Sequence, residues 1–209
     1  MNSYKTVESA CESVFIVERS KFICNIKGVK DEEDAKSFVA EIRKKHSLAT
    51  HNCYAYIADE KGLVQKFSDD GEPQGTAGMP ILNVLSSQRL YKTVAVVTRY
   101  FGGVKLGAGG LARTYGGVTA ETVKSANIVE MFPSVFYKIT ATYSDYKKIS
   151  PNLGLYAEIM NVEYGESVTA DCAVKEEDAE KFSEFIKETA FGVTLVKKGG
   201  GYHPFKVCR

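Results

Sequence analysis

The run Val94-Ala95-Val96-Val97 is continuous, apolar and largely β-branched, the pattern of a strand buried on both faces. Its exit is a glycine loop, Tyr100-Phe101-Gly102-Gly103-Val104-Lys105-Leu106-Gly107-Ala108-Gly109-Gly110, followed by a stretch that reads as a helix over 111–127. Before the strand lies a second polar, glycine-bearing segment, Ser68-Asp69-Asp70-Gly71-Glu72-Pro73-Gln74-Gly75-Thr76-Ala77-Gly78-Met79-Pro80. Pro80 suits the first turn of a short helix whose apolar face is Ile81, Leu82 and Leu85.

The flanking chain supplies more elements. Apolar runs at 14–17 and 22–26, separated by Glu18-Arg19-Ser20-Lys21, predict a hairpin. Asp31 opens a helix to about residue 46, with Ala35, Phe38, Val39 and Ile42 on one face and three acids at its positive end. Strands at 53–58 and 63–67 form a second pair. Phe132-Pro133-Ser134 marks a domain boundary, because proline disfavours helix in the residue before it; the expected domains are 1–133 and 134–209. Beyond it come a strand over 135–142, a helix capped by Ser144, strands over 156–164 and 168–174, a helix over 176–189 and a strand over 193–196. The order β-α-β-β-α-β is the split-βαβ arrangement of ferredoxin-like domains, and the fold class expected for the whole is α+β.

Composition narrows the class of protein. Over 209 residues, 44% hydrophobic and 25% charged residues exclude a disordered or collagen-like chain. The net charge is +1, so the total favours neither a nucleic-acid protein nor an acidic one. No apolar run approaches the ~20 residues that span a bilayer, and the first residues lack a secretory pattern. The five cysteines (Cys11, Cys24, Cys53, Cys172, Cys208) are odd in number and widely spaced, as in a reducing compartment. The expected location is cytoplasmic, with no membrane partner. His46, His51 and His203 do not cluster with cysteine as a structural zinc site requires, and neither metal nor cofactor is expected.

Counted locally, the charge is uneven. Residues 89–124 hold six cations (Arg89, Lys92, Arg99, Lys105, Arg113, Lys124) against Glu121, and residues 59–72 hold five anions against two lysines. Such asymmetry attracts an anionic partner to one region; alternatively, the two segments pack together and neutralise each other. In the glycine loop, Gly102, Gly103, Gly109 and Gly110 lead into a helix whose free amides could meet an anion. Arg99 and Arg113 would clamp it, Lys105 would add charge, and Tyr100 or Phe101 would stack a base. The other account is that the glycines serve backbone geometry alone. The loop has no P-loop pattern. Asp69, Asp70 and Glu72 could ligate a cation but lack EF-hand spacing, and a solvated turn is the simpler reading. His51 and Cys53, two apart on a strand, point one way, yet no orienting group accompanies them as a nucleophilic pair needs. His203 and Cys208 fall in a glycine-rich tail and read as incidental.

His51-Asn52-Cys53-Tyr54-Ala55, the 68–80 string with Thr76 inside it, and Val97-Thr98-Arg99-Tyr100-Phe101-Gly102-Gly103-Val104-Lys105-Leu106-Gly107-Ala108-Gly109-Gly110-Leu111 together resemble the signature of the YigZ/IMPACT family. The resemblance implies an N-terminal fold like domain 2 of ribosomal protein S5 and a ferredoxin-like C-terminal domain similar to domain V of elongation factor G. Eukaryotic relatives regulate translation by competing for the activator of a starvation-sensing kinase. The 209 residues hold no counterpart of their N-terminal partner-binding module, so that role is not carried over, and the family supplies no reaction to transfer. The expectation is a non-catalytic binding or regulatory protein linked to translation or the stress response. Its expected partner is RNA, the ribosome or a protein of the translation machinery, with no DNA sequence specificity. The rival is an enzyme acting on a phosphorylated or acyl small molecule between the 68–80 and 99–113 loops.

Overall fold

The computed structural model describes residues 3–205, so Cys208 lies outside the described residues. The chain forms two compact units, one over 4–129 and one over 130–205 with Ser3. The first contains β1 (Tyr4–Val7), β2 (Cys11–Val17), β3 (Ser20–Gly28), α1 (Glu32–Lys45), β4 (His51–Ile57), β5 (Gln65–Ser68), α2 (Gly78–Ser87), β6 (Thr93–Tyr100) and α3 (Gly107–Ser125).

Strand β6 sits at the centre of an antiparallel sheet ordered β2-β3-β6-β4-β5. Its side chains alternate between two cores, as the two-residue period of a strand requires. Val94 and Val96 meet Ala35, Phe38, Val39 and Ile42 of α1. Ala95 and Val97 meet Ile81 and Leu85 of α2 and Leu111, Tyr115 and Val118 of α3. Full burial of each such valine or leucine is worth about 1.5–3 kcal/mol, which explains why the strand carries no polar residue between Val94 and Val97. Asp31 caps α1 by accepting from Asp34 N at 2.9 Å.

Helix α3 starts four residues before the expected Leu111. Gly107, Gly109 and Gly110 therefore belong to the helix: the ~1 kcal/mol propensity cost of glycine is overridden by packing of Leu111, Tyr115 and Val118 below it. The β2–β3 turn is made by Glu18 and Arg19, both at positive φ (45° and 64°), a conformation costly for side chains other than glycine.

The second unit comprises β7 (Ile128–Ala141, which begins in the first), α4 (Tyr143–Leu153), β8 (Glu158–Tyr164), β9 (Val168–Lys175), α5 (Ala179–Thr189) and β10 (Thr194–Pro204). Phe132-Pro133-Ser134 continues β7 instead of interrupting it: Pro133 is paired with Tyr202 of β10, while pairing with β9 starts only at Ser134, so on that side the sheet has no partner for a proline N–H to miss. Within this unit the strand order is β10-β7-β9-β8, each of these pairs antiparallel, and β1 completes the five-stranded sheet beside β7. With α4 and α5 as crossovers, this is the ferredoxin-like arrangement, and the chain as a whole is α+β. Val135, Tyr137 and Ile139 point to Ile149 and Leu153 of α4 and to Phe182 and Ile186 of α5. Two details differ from expectation. Thr142, not Ser144, caps α4, its hydroxyl accepting from Asp145 N at 3.1 Å. Strand β10 runs on to Pro204, so His203 is a strand residue with Nε2 3.6 Å from Glu158. No helix of the described residues is long and apolar enough to cross a membrane.

Candidate functional site

The 68–80 segment is organised by its own carboxylates. Asp69 accepts from Gly75 N, Ala77 N and Gly78 N at 2.8, 3.0 and 2.8 Å. It thereby caps α2, which has neither a capping side chain at Ala77 nor an acid in its first turn. Burial alone would raise its carboxyl, but these three amides outweigh burial and hold it below the usual carboxylate range. Gly78 has no room for a side chain: a Cβ there would lie 2.8 Å from Ser68 backbone atoms. Asp70 Oδ2 accepts from Asn52 N at 2.7 Å and Oδ1 pairs with Arg43 Nη2 at 2.6 Å. Thr76 is buried, its hydroxyl donating to Pro73 O at 2.6 Å. His51 Nδ1 lies 2.8 Å from Asp70 O; a carbonyl can only accept, so Nδ1 carries the proton.

Glu72 turns inward to meet the other string. Its Oε1 accepts from Arg99 Nη1 at 2.7 Å and from the Tyr115 hydroxyl at 2.8 Å, and Oε2 lies 3.8 Å from His51 Nε2. Arg99 is 5% exposed and Glu72 8%. The guanidinium lies between the rings of Phe22 and Phe101, at 5.5 and 5.4 Å. Its Nη2 reaches Ser20 Oγ at 3.4 Å, and that oxygen also accepts from Gly102 N at 3.1 Å. Cys53 Sγ sits 3.4 Å from the Tyr115 hydroxyl and 2.9 Å from Asp69 O. The acidic and basic segments thus converge, and at Glu72–Arg99 they neutralise each other.

This arrangement bears on several readings of the sequence, and departs from the expected role of Arg99. Arg99, expected to clamp a ligand, is directed into the protein and matched by a carboxylate. The Cys53 thiol is pushed up to about 12 by burial, which disfavours the thiolate a nucleophile needs; Tyr115 is likewise held protonated, by burial first and then by its contacts with Cys53 and Glu72. The oxygens of Asp69 and Asp70 are engaged by amides and Arg43, and among the described residues no group of three His, Cys, Asp or Glu side chains is arranged to hold a metal ion. Tyr100 points away from Phe101: its hydroxyl lies 3.0 Å from His46 Nδ1.

Other members of the glycine string face solvent. Phe101 is 48% exposed, and Gly103, Lys105, Gly109 and Arg113 are exposed, with Gly102 and Gly110 half-buried. A Cβ on Gly102 would lie 2.0 Å from Arg19 O, whereas Gly103, at φ +87°, has nothing within 4 Å. So Gly102 serves close packing against the β2–β3 turn, and Gly103 serves a left-handed turn. The N-terminus of α3 has no capping side chain at Leu106 and no acid in its first turn. Neither Lys105 nor Arg113 has a carboxylate within 4.0 Å among the described residues.

Sequence reading missed Tyr115, Ser20, Asn52 and Arg43. One signal was present: the alternation Ala95, Val97, Arg99 places Arg99 on the face that packs α2 and α3. Nothing in the sequence links Tyr115 or Ser20 to Glu72, since they lie 43 and 52 positions away.

Residues 18–123 match the family described as Impact N-terminal domain, and residues 139–192 match the family described as Domain of unknown function (DUF1949). The chain is 42% identical over 200 residues to IMPACT family member YvyE of Bacillus subtilis, covering 95% of this chain and 92% of that protein. It is 34% identical over 177 residues to IMPACT family member YigZ of Escherichia coli, covering 83% and 85%. Protein IMPACT of Mus musculus is 34% identical over 94 residues, 43% of this chain and 29% of that protein. A solved structure described as that of a hypothetical protein matches with TM-score 0.63 at 31% identity, covering 94% of this chain and 97% of that one.

Proposed function

The chain belongs to the IMPACT family, and on that premise we propose that it is a non-catalytic regulatory binding protein whose 101–113 segment receives RNA of the translation machinery. One observation carries the reading: α3 opens without a capping side chain or an acid, between two exposed cations, Lys105 and Arg113, that lack carboxylate partners among the described residues. Free amides and the positive end of a helix favour an anion, two cations beside them suit successive phosphates, and the half-exposed Phe101 ring offers a stacking face. Arg99 takes no direct part; it holds Phe101 and the Gly102 turn from below.

The test is binding of a fluorescein-labelled single-stranded RNA by anisotropy across a salt series. Affinity is expected to fall with salt, and Lys105→Ala with Arg113→Ala is expected to reduce the log–log slope by about 1.4, at ~0.7 per phosphate contact on single strands. Affinity independent of salt, or a slope unmoved by the double variant, overturns the reading.

One observation favours the enzyme reading: the two loops do meet. Their meeting point, however, is a closed ion pair beside a protonated thiol and a protonated phenol. Hydrolysis of a phosphoester or acyl-ester panel that is abolished by Glu72→Gln in a folded variant would replace the binding proposal with that one.

A further inference from the structure

Among the described residues strand β10 has β7 as its neighbour on one side only. From Thr194↔Thr140 to Lys197↔Tyr137 the two are paired in register, so alternate backbone N–H and C=O groups over 194–197 face away from the sheet. Such an edge is a template for another strand. Thr194, Val196 and Lys197 are exposed. Beside this edge lies one face of α5, built from Ser183, Ile186 and Lys187 at helical spacing and continued by Ala190 at the helix C-cap. Between helix and strand is a groove of about 600 Å³. Its floor is apolar, with Tyr137, Ile186, Ala190 and Leu195, and Phe191 at its rim is 99% exposed.

The charge is one-sided. Lys187 and Lys197 line the groove and no acid does; neither lysine has a carboxylate within 4.0 Å among the described residues. We propose that this edge and groove form a docking site for an extended acidic peptide. The peptide adds to β10 as a further strand, sends alternate apolar side chains to the floor, and sets carboxylates against Lys187 and Lys197. Each feature selects part of the partner: the open edge requires a backbone in strand conformation, the floor an apolar side chain, the lysines a carboxylate. Edge lysines also occur simply to repel stray strands; that role predicts no uptake of any strand, acidic or basic. The surface lies wholly within residues 137–197, so its test stands apart from the RNA reading.

The experiment uses the full chain and a fluorescein-labelled heptapeptide, Asp-Thr-Val-Thr-Val-Thr-Asp, whose aspartates and valines share one face in a strand and so meet the lysines and the floor together. Saturable anisotropy is expected, with amide chemical shifts moving at 194–197 and 183–191. Lys187→Glu with Lys197→Glu, both exposed positions, is expected to weaken binding by about tenfold or more. The same peptide methylated on alternate backbone nitrogens should fail, because it cannot complete a ladder, and the peptide with lysine in place of both aspartates should also fail. Equal binding of the lysine or methylated peptide overturns the proposal. So do shifts confined elsewhere, displacement of the peptide by single-stranded RNA, or sedimentation showing that a second copy of the chain already occupies the edge.

Discussion

Glu72 and Arg99 are less than one-tenth exposed and bonded to each other at 2.7 Å; Lys105 and Arg113 are exposed and lack a carboxylate within 4.0 Å among the described residues. All four residues lie in or just beyond the two glycine-bearing strings, within 41 positions of one another. Summing their charges suggests one basic surface facing one acidic surface. The fold instead spends one charge of each sign on a buried pair and leaves the other cations outside. A charged motif can therefore be part structural core and part binding rim, and the two parts respond to different perturbations.

The largest effect falls on the buried part. Arg99→Met or Glu72→Gln leaves an uncompensated polar group in the interior, and each is expected to cost about 3–5 kcal/mol in urea unfolding. The double replacement is expected to cost less than the sum of the two. A single-variant loss below about 1 kcal/mol breaks the contrast.

The glycines sharpen it next. Gly102→Ala drives a Cβ into the Arg19 carbonyl and is expected to cost about 2–3 kcal/mol. Gly103→Ala meets open space and bears only its left-handed backbone, about 1–2 kcal/mol. Thermal or urea unfolding that ranked Gly103 above Gly102 would contradict the packing described for the β2–β3 turn.

Asp69→Asn removes the charged cap of α2 and is expected to cost about 1 kcal/mol at neutral pH. Because the folded carboxyl titrates below its unfolded counterpart, its contribution is complete above the unfolded value and is lost as pH falls through the folded one. The stability gap between parent and variant should therefore narrow below about pH 4; a gap that widened with acid would reverse the assignment. Last and smallest, Lys105→Ala with Arg113→Ala should change stability by no more than about 0.5 kcal/mol, although the same variant is the one expected to flatten the salt dependence of RNA binding.

Much of this fold was legible. The two-sided burial of β6, the face of α1 and the β-α-β-β-α-β order of the second unit all follow from periodicities in which each residue's side is set by its immediate neighbours. The start of α3 was not, because glycine propensity argued for a loop while the packing of Leu111 and Tyr115 argued for a helix. The site was half legible: the strings announced themselves, and the alternation through Ala95, Val97 and Arg99 held the clue that Arg99 faces inward.

By itself, then, the sequence determined the elements, their order and the segments rich in chemistry, since these depend on spacing along the chain. Only the tertiary structure decided which charges are consumed. Whether a guanidinium meets a carboxylate, a phenol or water depends on residues 27 to 79 positions away arriving within 3 Å or so of it, and no local pattern encodes that meeting.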